Sequence, residues 1–188
     1  MTTSTLSPFF ALLSLACWAA TGAIVVVSLL ARFRPASAAT TWLASVGDLA
    51  LWFAWVVAAV TTAGSLYYSE VAHFLPCELC WYQRICVYPL SAVLLVAALR
   101  RDRDVWRYVA IPAVVGAGIA AYHTQLQAYP SQHTFCSTVN PCTTRYVWEY
   151  GFVSLPFMAL AAFGFILSMV LVARWTANHP IALAPGAV

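Results

Sequence analysis

Charge is scarce in this sequence, and lysine is absent from it. Charged residues make up 8% of the 188 residues and hydrophobic residues 63%, whereas roughly a quarter of a soluble domain is charged. So few polar side chains cannot cover a globular surface, which excludes an ordinary soluble domain. We therefore expect a membrane protein whose solvent includes the lipid bilayer.

Five stretches with almost no charge are long enough to cross a bilayer, which takes about 20 residues of helix. All five are predicted to be helical because lipid offers backbone polar groups no other partner. The predicted spans are residues 9–31, 49–69, 77–99, 108–127 and 151–173. The first has no basic segment before it and is longer than the apolar part of a signal peptide, so we expect it to be retained. The chain is thus predicted to be an all-α integral membrane protein.

The arginines predict an orientation. With five spans, most of them fall on one side of the membrane, which the positive-inside rule makes the cytoplasm. The N-terminus is then expected outside and the C-terminus in the cytoplasm. Arg145 is the one arginine in the predicted outer loops, and Arg84 lies at the membrane boundary. The arginines on the predicted cytoplasmic side are Arg32, Arg34, Arg100, Arg101, Arg103, Arg107 and Arg174.

Four of the six cysteines fall on the outer side in this topology, where disulfides persist. They are Cys77, Cys80, Cys136 and Cys142. The first two form a C-x-x-C pair at the start of the third span, and the other two form a C-x5-C pair in the loop of residues 128–150. Cys17 and Cys86 lie inside apolar segments, which is typical of small core residues.

The cysteine spacing alone leaves three interpretations open. The two pairs can be structural disulfides that staple loops, or they can be redox centres. They can also be the two halves of a tetrahedral zinc site, to which His73 and His133 could add ligands.

Two local features favour redox chemistry at the first pair. A C-x-x-C pair at a helix start lies at the positive end of the helix macrodipole, which stabilises a thiolate. Arg84 follows Cys80 by four residues and hence lies one turn along the same helix face. A staple or a zinc site has no use for that arginine. The alternative is that Arg84 extends to the lipid headgroups, but charged residues inside membranes are functional by default.

Longer motifs around these residues resemble one family. CELCWYQR at residues 77–84, followed by ICVYPL, is similar to the first catalytic loop of the DsbB/BdbC disulfide-bond-formation proteins. The similarity continues in YHTQLQAYP at residues 122–130, in the loop cysteine pair and in WEYGFVSLP at residues 148–156. It covers residues 43–174 and so includes four of the five predicted spans.

The resemblance implies a four-helix transmembrane bundle of DsbB type, here with one extra N-terminal transmembrane helix. Residues 1–41 are then expected to hold the extra helix and a cytoplasmic loop, residues 42–174 the four-helix domain, and residues 175–188 a short cytoplasmic tail. The implied protein spans the bacterial cytoplasmic membrane several times. It supports disulfide formation in exported proteins as a thiol oxidase linked to a membrane quinone, either ubiquinone or menaquinone. The expected partner is an extracytoplasmic thioredoxin-like protein of DsbA type; no nucleic acid and no metal is expected.

The resemblance also implies roles for individual residues. The partner's thiolate attacks the Cys136–Cys142 disulfide, with Cys136 as its mixed-disulfide partner. Electrons then pass to the first pair, where Cys80 engages the quinone and Arg84 polarises it. His123 occupies the position of a family histidine near the quinone pocket; the alternative is that it caps the outer end of its helix.

Two features depart from the family, and three rival functions are open. The extra N-terminal span has no counterpart in the four-helix core, and the C-x5-C pair is tighter than in enterobacterial members and closer to the BdbC branch. The vitamin K epoxide reductase family is an enzymatic rival, but there the loop pair precedes the C-x-x-C pair. The other rivals are a metal-binding membrane protein that uses the loop cysteines and histidines, and a non-catalytic bundle with structural disulfides.

Overall fold

The computed structural model describes residues 3–33 and 38–178, most of which are helical. The six α-helices are α1 (Thr3–Phe33), α2 (Ala38–Gly47), α3 (Ala50–Leu66), α4 (Glu78–Arg100), α5 (Trp106–Ala128) and α6 (Leu155–Asn178). All except α2 belong to segments that are long and apolar enough to cross a membrane. The predicted all-α membrane architecture with five spans is confirmed.

Four of the helices form a ring. α3, α4, α5 and α6 each contact the next helix, and α6 closes the ring on α3. Leu94, Val109 and Phe163 are buried in its core. Gly116 of α5 lets the Phe163 ring of α6 approach, because a Cβ at Gly116 would lie 2.4 Å from that ring. Small residues commonly allow such close helix packing in membranes. α1 lies outside this ring and packs mainly against α6.

One end of the bundle is fastened by arginine contacts. Arg103, which follows α4, pairs with Asp48 before α3 at 2.8 Å and donates to the Thr176 hydroxyl of α6 at 3.4 Å. Arg101 ends α4 in a left-handed conformation with φ of 54°. These contacts place the α4–α5 connection and the end of α6 together, as consecutive antiparallel spans require. Arg34, one of the arginines that predict the orientation, lies outside the described residues.

The opposite end carries the cysteine loops. α3 continues as a π-helical turn, Tyr67–Val71, and the chain then reaches Cys77, after which α4 begins. The loop between α5 and α6 packs on this segment, since Phe74 stacks on Tyr146 with ring centroids 4.7 Å apart. The two loops that hold the cysteine pairs are therefore neighbours.

A short β-hairpin precedes α6. β1 (Trp148–Glu149) pairs antiparallel with β2 (Val153–Ser154). Tyr150 and Gly151 turn the chain between them with φ of 53° and 80°, and positive φ values suit the twist of tight hairpins. The predicted start of the fifth span at residue 151 is therefore wrong. α6 begins at Leu155 because the preceding residues pair as strands.

Two further differences concern connections. α2 forms where a loop is expected from the sequence, and it packs on α1 and α6. α6 continues past Arg174 to Asn178, into the segment expected as a tail, whose residues 179–188 lie outside the described part. The division of the chain after residues 41 and 174 stays a prediction.

Candidate active site

The first cysteine pair lies at the start of α4. Cys77 is the N-cap residue in an extended conformation, and its carbonyl accepts the first helical hydrogen bond from the Trp81 N–H at 3.1 Å. Cys80 follows in the first turn, and the two sulfur atoms lie 3.1 Å apart as free thiols. The C-x-x-C spacing at a helix start therefore points both thiols to one place.

His123 of α5 connects this pair to the second one. It is 1% exposed, and its Nε2 lies 3.7 Å from the Cys77 sulfur and 3.0 Å from the Cys142 carbonyl oxygen. The Gln83 amide nitrogen lies 3.1 Å from Nδ1. With the NH₂ of Gln83 donating to Nδ1, the ring proton is on Nε2, which donates to Cys142 and faces Cys77. His123 therefore bridges the two cysteine loops and does not cap the end of α5.

The surroundings of Cys77 favour its thiolate. A hydrogen bond from the Cys80 thiol, the largest influence, lowers the pKa of Cys77 to about 4, although burial opposes the shift. The hydrogen bond of His123 lowers the same pKa further. Because only the thiolate is a good nucleophile, these surroundings favour Cys77 over Cys80 as the thiolate of the reduced pair.

The second pair is a disulfide between Cys136 and Cys142. Both residues are buried, at 8% and 1% exposure, in one apolar cluster with Cys77, Leu79 and Leu126. The two pairs therefore share a core at this end of the bundle, and Cys136 is the more exposed member of the loop pair.

Hydrogen bonds from the loop fasten this disulfide to its neighbours. The Asn140 side chain donates to the Leu75 carbonyl at 3.2 Å, just before the first pair. Arg145 donates to the Gln127 carbonyl at the end of α5, and its guanidinium lies 4.0 Å from the centre of the Trp148 ring. The loop is thus tied both to the segment before α4 and to α5.

A cavity of about 260 Å³ opens beside Cys80 between the helices, and we call it the Cys80 cavity. Most of its lining is apolar, and its polar side includes Cys80, Gln83, Arg84 and His123. Apolar cavities with a few convergent polar groups are the usual form of small-molecule sites. Cys77 is not among the lining residues, so the two thiols of the first pair differ in their access to this space.

Arg84 is held at the wall of the cavity by α3. Its Nε donates to the Ser65 hydroxyl at 3.0 Å, and its terminal nitrogen donates to the Ser65 carbonyl at 3.1 Å. The Tyr88 hydroxyl donates to the same Ser65 oxygen at 3.1 Å. No carboxylate pairs with Arg84 in the described part of the chain. These hydrogen bonds hold the guanidinium in place, and no ion pair within the described residues neutralises its charge, which can therefore attract an anion in the cavity.

Within the described residues, the structure brings one group of three possible metal ligands together. Cys77, Cys80 and His123 place their donor atoms within 4.8 Å of one another, and thiolate and imidazole are suitable zinc ligands. The Nε2 of His123, however, bears the proton in the hydrogen-bond arrangement above. Cys136 and Cys142 are bonded to each other. Neither His73 nor His133 joins such a group within residues 3–33 and 38–178.

Comparison with known proteins identifies the family. The model of the family described as "Disulfide bond formation protein DsbB" matches residues 47–173. The chain belongs to the DsbB family. It is therefore a disulfide-forming membrane protein with oxidoreductase activity, and the predicted resemblance is confirmed.

Individual relatives agree with this assignment. Disulfide bond formation protein C of Bacillus subtilis is 43% identical over 119 residues, which cover 62% of this chain and 86% of that protein. A probable disulfide formation protein of Coxiella burnetii is 40% identical over 118 residues, 61% of this chain and 80% of its own. A probable disulfide formation protein C 1 of Bacillus cereus is 41% identical over 119 residues, which cover 62% of this chain and 85% of that protein. No solved structure matches.

The DsbB match contains both cysteine pairs, Arg84 and His123, and it leaves all of α1 outside. Three features of the site lack a signal in the sequence. Ser65 resembles any small residue of a span, Gln83 stands inside the recognised motif without a distinguishing pattern, and α1 gives only a uniform apolar run. The structure assigns each of them a contact.

Proposed function

We propose that this chain is a membrane thiol:quinone oxidoreductase. It reoxidises an extracytoplasmic thioredoxin-like protein of DsbA type and passes the electrons to a membrane quinone. The observation that carries the proposal is that Cys80 and the unpaired guanidinium of Arg84 line one apolar cavity within the membrane-spanning bundle. A pair of thiols that supplies electrons and a fixed cation that stabilises developing negative charge meet at a site that a lipid-soluble acceptor can enter.

The first step takes place at the loop disulfide. A thiolate of the partner attacks the sulfur of Cys136, the more exposed residue of the pair, and the bond to Cys142 breaks with Cys142 as the leaving thiolate. The partner's second thiol then attacks the mixed disulfide. The partner leaves as a disulfide, and Cys136 and Cys142 hold the two electrons and two protons as thiols.

The second step moves the electrons between the loops. The reduced loop pair attacks a Cys77–Cys80 disulfide, and it is oxidised again as the first pair becomes two thiols. His123 supports this exchange because its Nε2–H contacts the Cys142 carbonyl and faces the Cys77 sulfur.

The third step reoxidises the first pair at the Cys80 cavity. A quinone bound there would supply an acceptor for two electrons and two protons. The Cys77 thiolate, which a pKa of about 4 favours, would form the disulfide bond to Cys80 as the two electrons and two protons of the pair leave for the acceptor. Cys80 lines the cavity and would be the sulfur that meets the acceptor, and Arg84 would stabilise the negative charge that develops in this apolar site.

The proposed location follows from the distribution of arginines. Arg100, Arg101, Arg103 and Arg107 lie at the bundle end opposite to the cysteines, which the positive-inside rule places in the cytoplasm. The cysteine loops then face the oxidising side of the bacterial cytoplasmic membrane, with the N-terminus outside and the C-terminus inside. This side is where a secreted thioredoxin-like partner would dock.

Quinone reduction by the purified protein tests the proposal. The protein is mixed with a reduced thioredoxin-like protein of DsbA type and decyl-ubiquinone or menadione, and the quinone absorbance is followed. We expect turnover by the native chain and none by Cys80→Ser. The matched control is Cys86→Ser, which removes a thiol of the same helix that does not line the cavity.

Two results contradict the proposal. One is quinone reduction that survives Cys80→Ser. The other is tightly bound zinc at one ion per chain without any thiol oxidation, which supports a metal site formed by Cys77, Cys80 and His123.

A further inference from the structure

The extra helix α1 lines the Cys80 cavity. Its contribution consists of Phe10, Leu13, Ser14 and Cys17, which we call the cavity face of α1. These positions recur at three- and four-residue intervals and therefore lie on one side of a helix. The neighbouring residue Leu12 points elsewhere, is 56% exposed and is absent from the cavity lining.

Specific contacts hold α1 against the four-helix ring at this level. The hydroxyl of Tyr68, in the π-helical turn after α3, donates to the Ser7 hydroxyl at 3.2 Å, and the ring centroids of Phe10 and Tyr68 lie 5.9 Å apart. Gly64 of α3 lets Phe10 approach, because a Cβ there would lie 3.3 Å from the Phe10 ring. α1 thus packs next to the last turn of α3, where Ser65 accepts hydrogen bonds from the Arg84 guanidinium of α4.

The chemistry of the cavity face of α1 differs from that of the residues that α4 and α5 contribute to the lining. α4 and α5 contribute the thiol, the guanidinium, the amide and the imidazole. α1 contributes apolar groups, since the Ser14 hydroxyl donates to the Ala11 carbonyl of its own helix at 2.7 Å. An acceptor held in the cavity would meet the polar groups of α4 and α5 and the apolar groups of α1, which suits a quinone ring with its hydrocarbon substituent.

We propose that the cavity face of α1 is part of the quinone-binding site and sets the affinity of this chain for its acceptor. This inference rests on the proposed function, and it assigns a binding role to a helix that the DsbB match does not include. α1 acts through contact with the bound acceptor and takes no part in thiol exchange.

Alkylation of the two thiols inside the spans tests this proposal without measuring turnover. Once both redox pairs are disulfides, Cys17 and Cys86 are the remaining thiols of the six cysteines. Both are partly exposed, and only Cys17 lines the cavity. We expect decyl-ubiquinone to slow the reaction of Cys17 with N-ethylmaleimide several-fold and to leave that of Cys86 unchanged. Equal rates at Cys17 with and without the quinone, or no reaction of Cys17 in either case, overturn the proposal.

A pair of substitutions on α1 gives a second test. Leu13→Trp places an indole in the cavity, so we expect the KM for decyl-ubiquinone to rise about tenfold. The single oxidation of the reduced partner by the preformed disulfides, measured without quinone, should not change. Leu12→Trp adds the same side chain on the exposed side of α1 and should leave both measurements unchanged.

The outcomes separate this proposal from the proposed function. If the native chain reduces quinone while Leu13→Trp and Leu12→Trp have the same KM, the role of α1 is wrong and the oxidoreductase stands. If the native chain does not reduce quinone and the quinone does not protect Cys17, both fail. Protection of Cys17 without turnover retains the binding site and removes the proposed reaction.

Discussion

The two cysteine pairs share one apolar cluster, but their surroundings differ in kind. The first pair lies at a helix start, between a histidine and a cavity with a fixed guanidinium. The loop of the second pair is held by hydrogen bonds to backbone carbonyls, from Asn140 to Leu75 and from His123 to Cys142. Under the proposed function, this difference suits the first pair to holding electrons as a thiolate beside the cavity and the loop pair to passing them on.

Removal of the positive charge of Arg84 from the Cys80 cavity is expected to have the largest effect. Arg84→Gln keeps a polar side chain but loses the charge, so we expect kcat for quinone reduction to fall about a hundredfold, as for other groups that stabilise developing anions. The single oxidation of the partner in the absence of quinone should stay normal, because it occurs at the loop pair. Arg107→Gln, an exposed arginine at the opposite end, is the control. Equal losses in both assays would show that Arg84 acts on folding or on thiol exchange.

The pKa of Cys77 gives a second contrast. Its pKa is lowered to about 4, so the thiolate persists from neutral pH down to that value and is lost as the pH falls through it. Cys80→Ala removes the largest influence, and we expect the pKa to rise by more than about one unit, which reduces the thiolate fraction more than tenfold below the new pKa. The pH dependence of iodoacetamide reaction at Cys77, followed by peptide mass, measures both values. An unchanged pKa in Cys80→Ala would mean that His123 or the helix dipole controls the thiolate.

Local patterns in the sequence were enough for part of this site. Hydropathy finds the spans because each is apolar over most of its length, and the four-residue spacing puts Arg84 one turn from Cys80 in any helix. Uniformly apolar spans, however, do not show which face meets which neighbour. The contacts of Arg84 with Ser65 and of Gln83 with His123 join different helices, and the place of α1 at the cavity depends on the same long-range packing.

The link between the two pairs through His123 can be weakened at Gln83. Gln83→Met has nearly the same shape but no donor for Nδ1, so the imidazole proton is no longer kept on Nε2. Because one buried hydrogen bond contributes about 1 kcal/mol net, we expect electron transfer from the loop pair to the first pair to slow roughly fivefold. Gln125→Met removes an exposed glutamine of the same helix end as His123 and is the control.

Rapid mixing with the reduced partner, followed by acid quenching and mass analysis of the thiols, measures this exchange. A role for Gln83 in positioning His123 also predicts that the pH profile of the exchange changes in Gln83→Met. A slower rate with an unaltered pH profile would instead indicate a general packing defect.

Asn140→Ala is expected to have the smallest effect. It tests how much the contact between the loop of the second pair and the segment before Cys77 contributes to exchange. The Asn140 side chain ties the loop to the Leu75 carbonyl, two residues before Cys77, through an exposed bond of 3.2 Å. Exposed hydrogen bonds contribute little, so exchange between the pairs should slow only about twofold, while the KM for quinone stays constant because Asn140 does not line the cavity. Ser137→Ala, in the same loop but bonded within it, should change neither value. If Asn140→Ala alters the KM for quinone, the loop pair and the Cys80 cavity are not the separate regions that their contacts indicate.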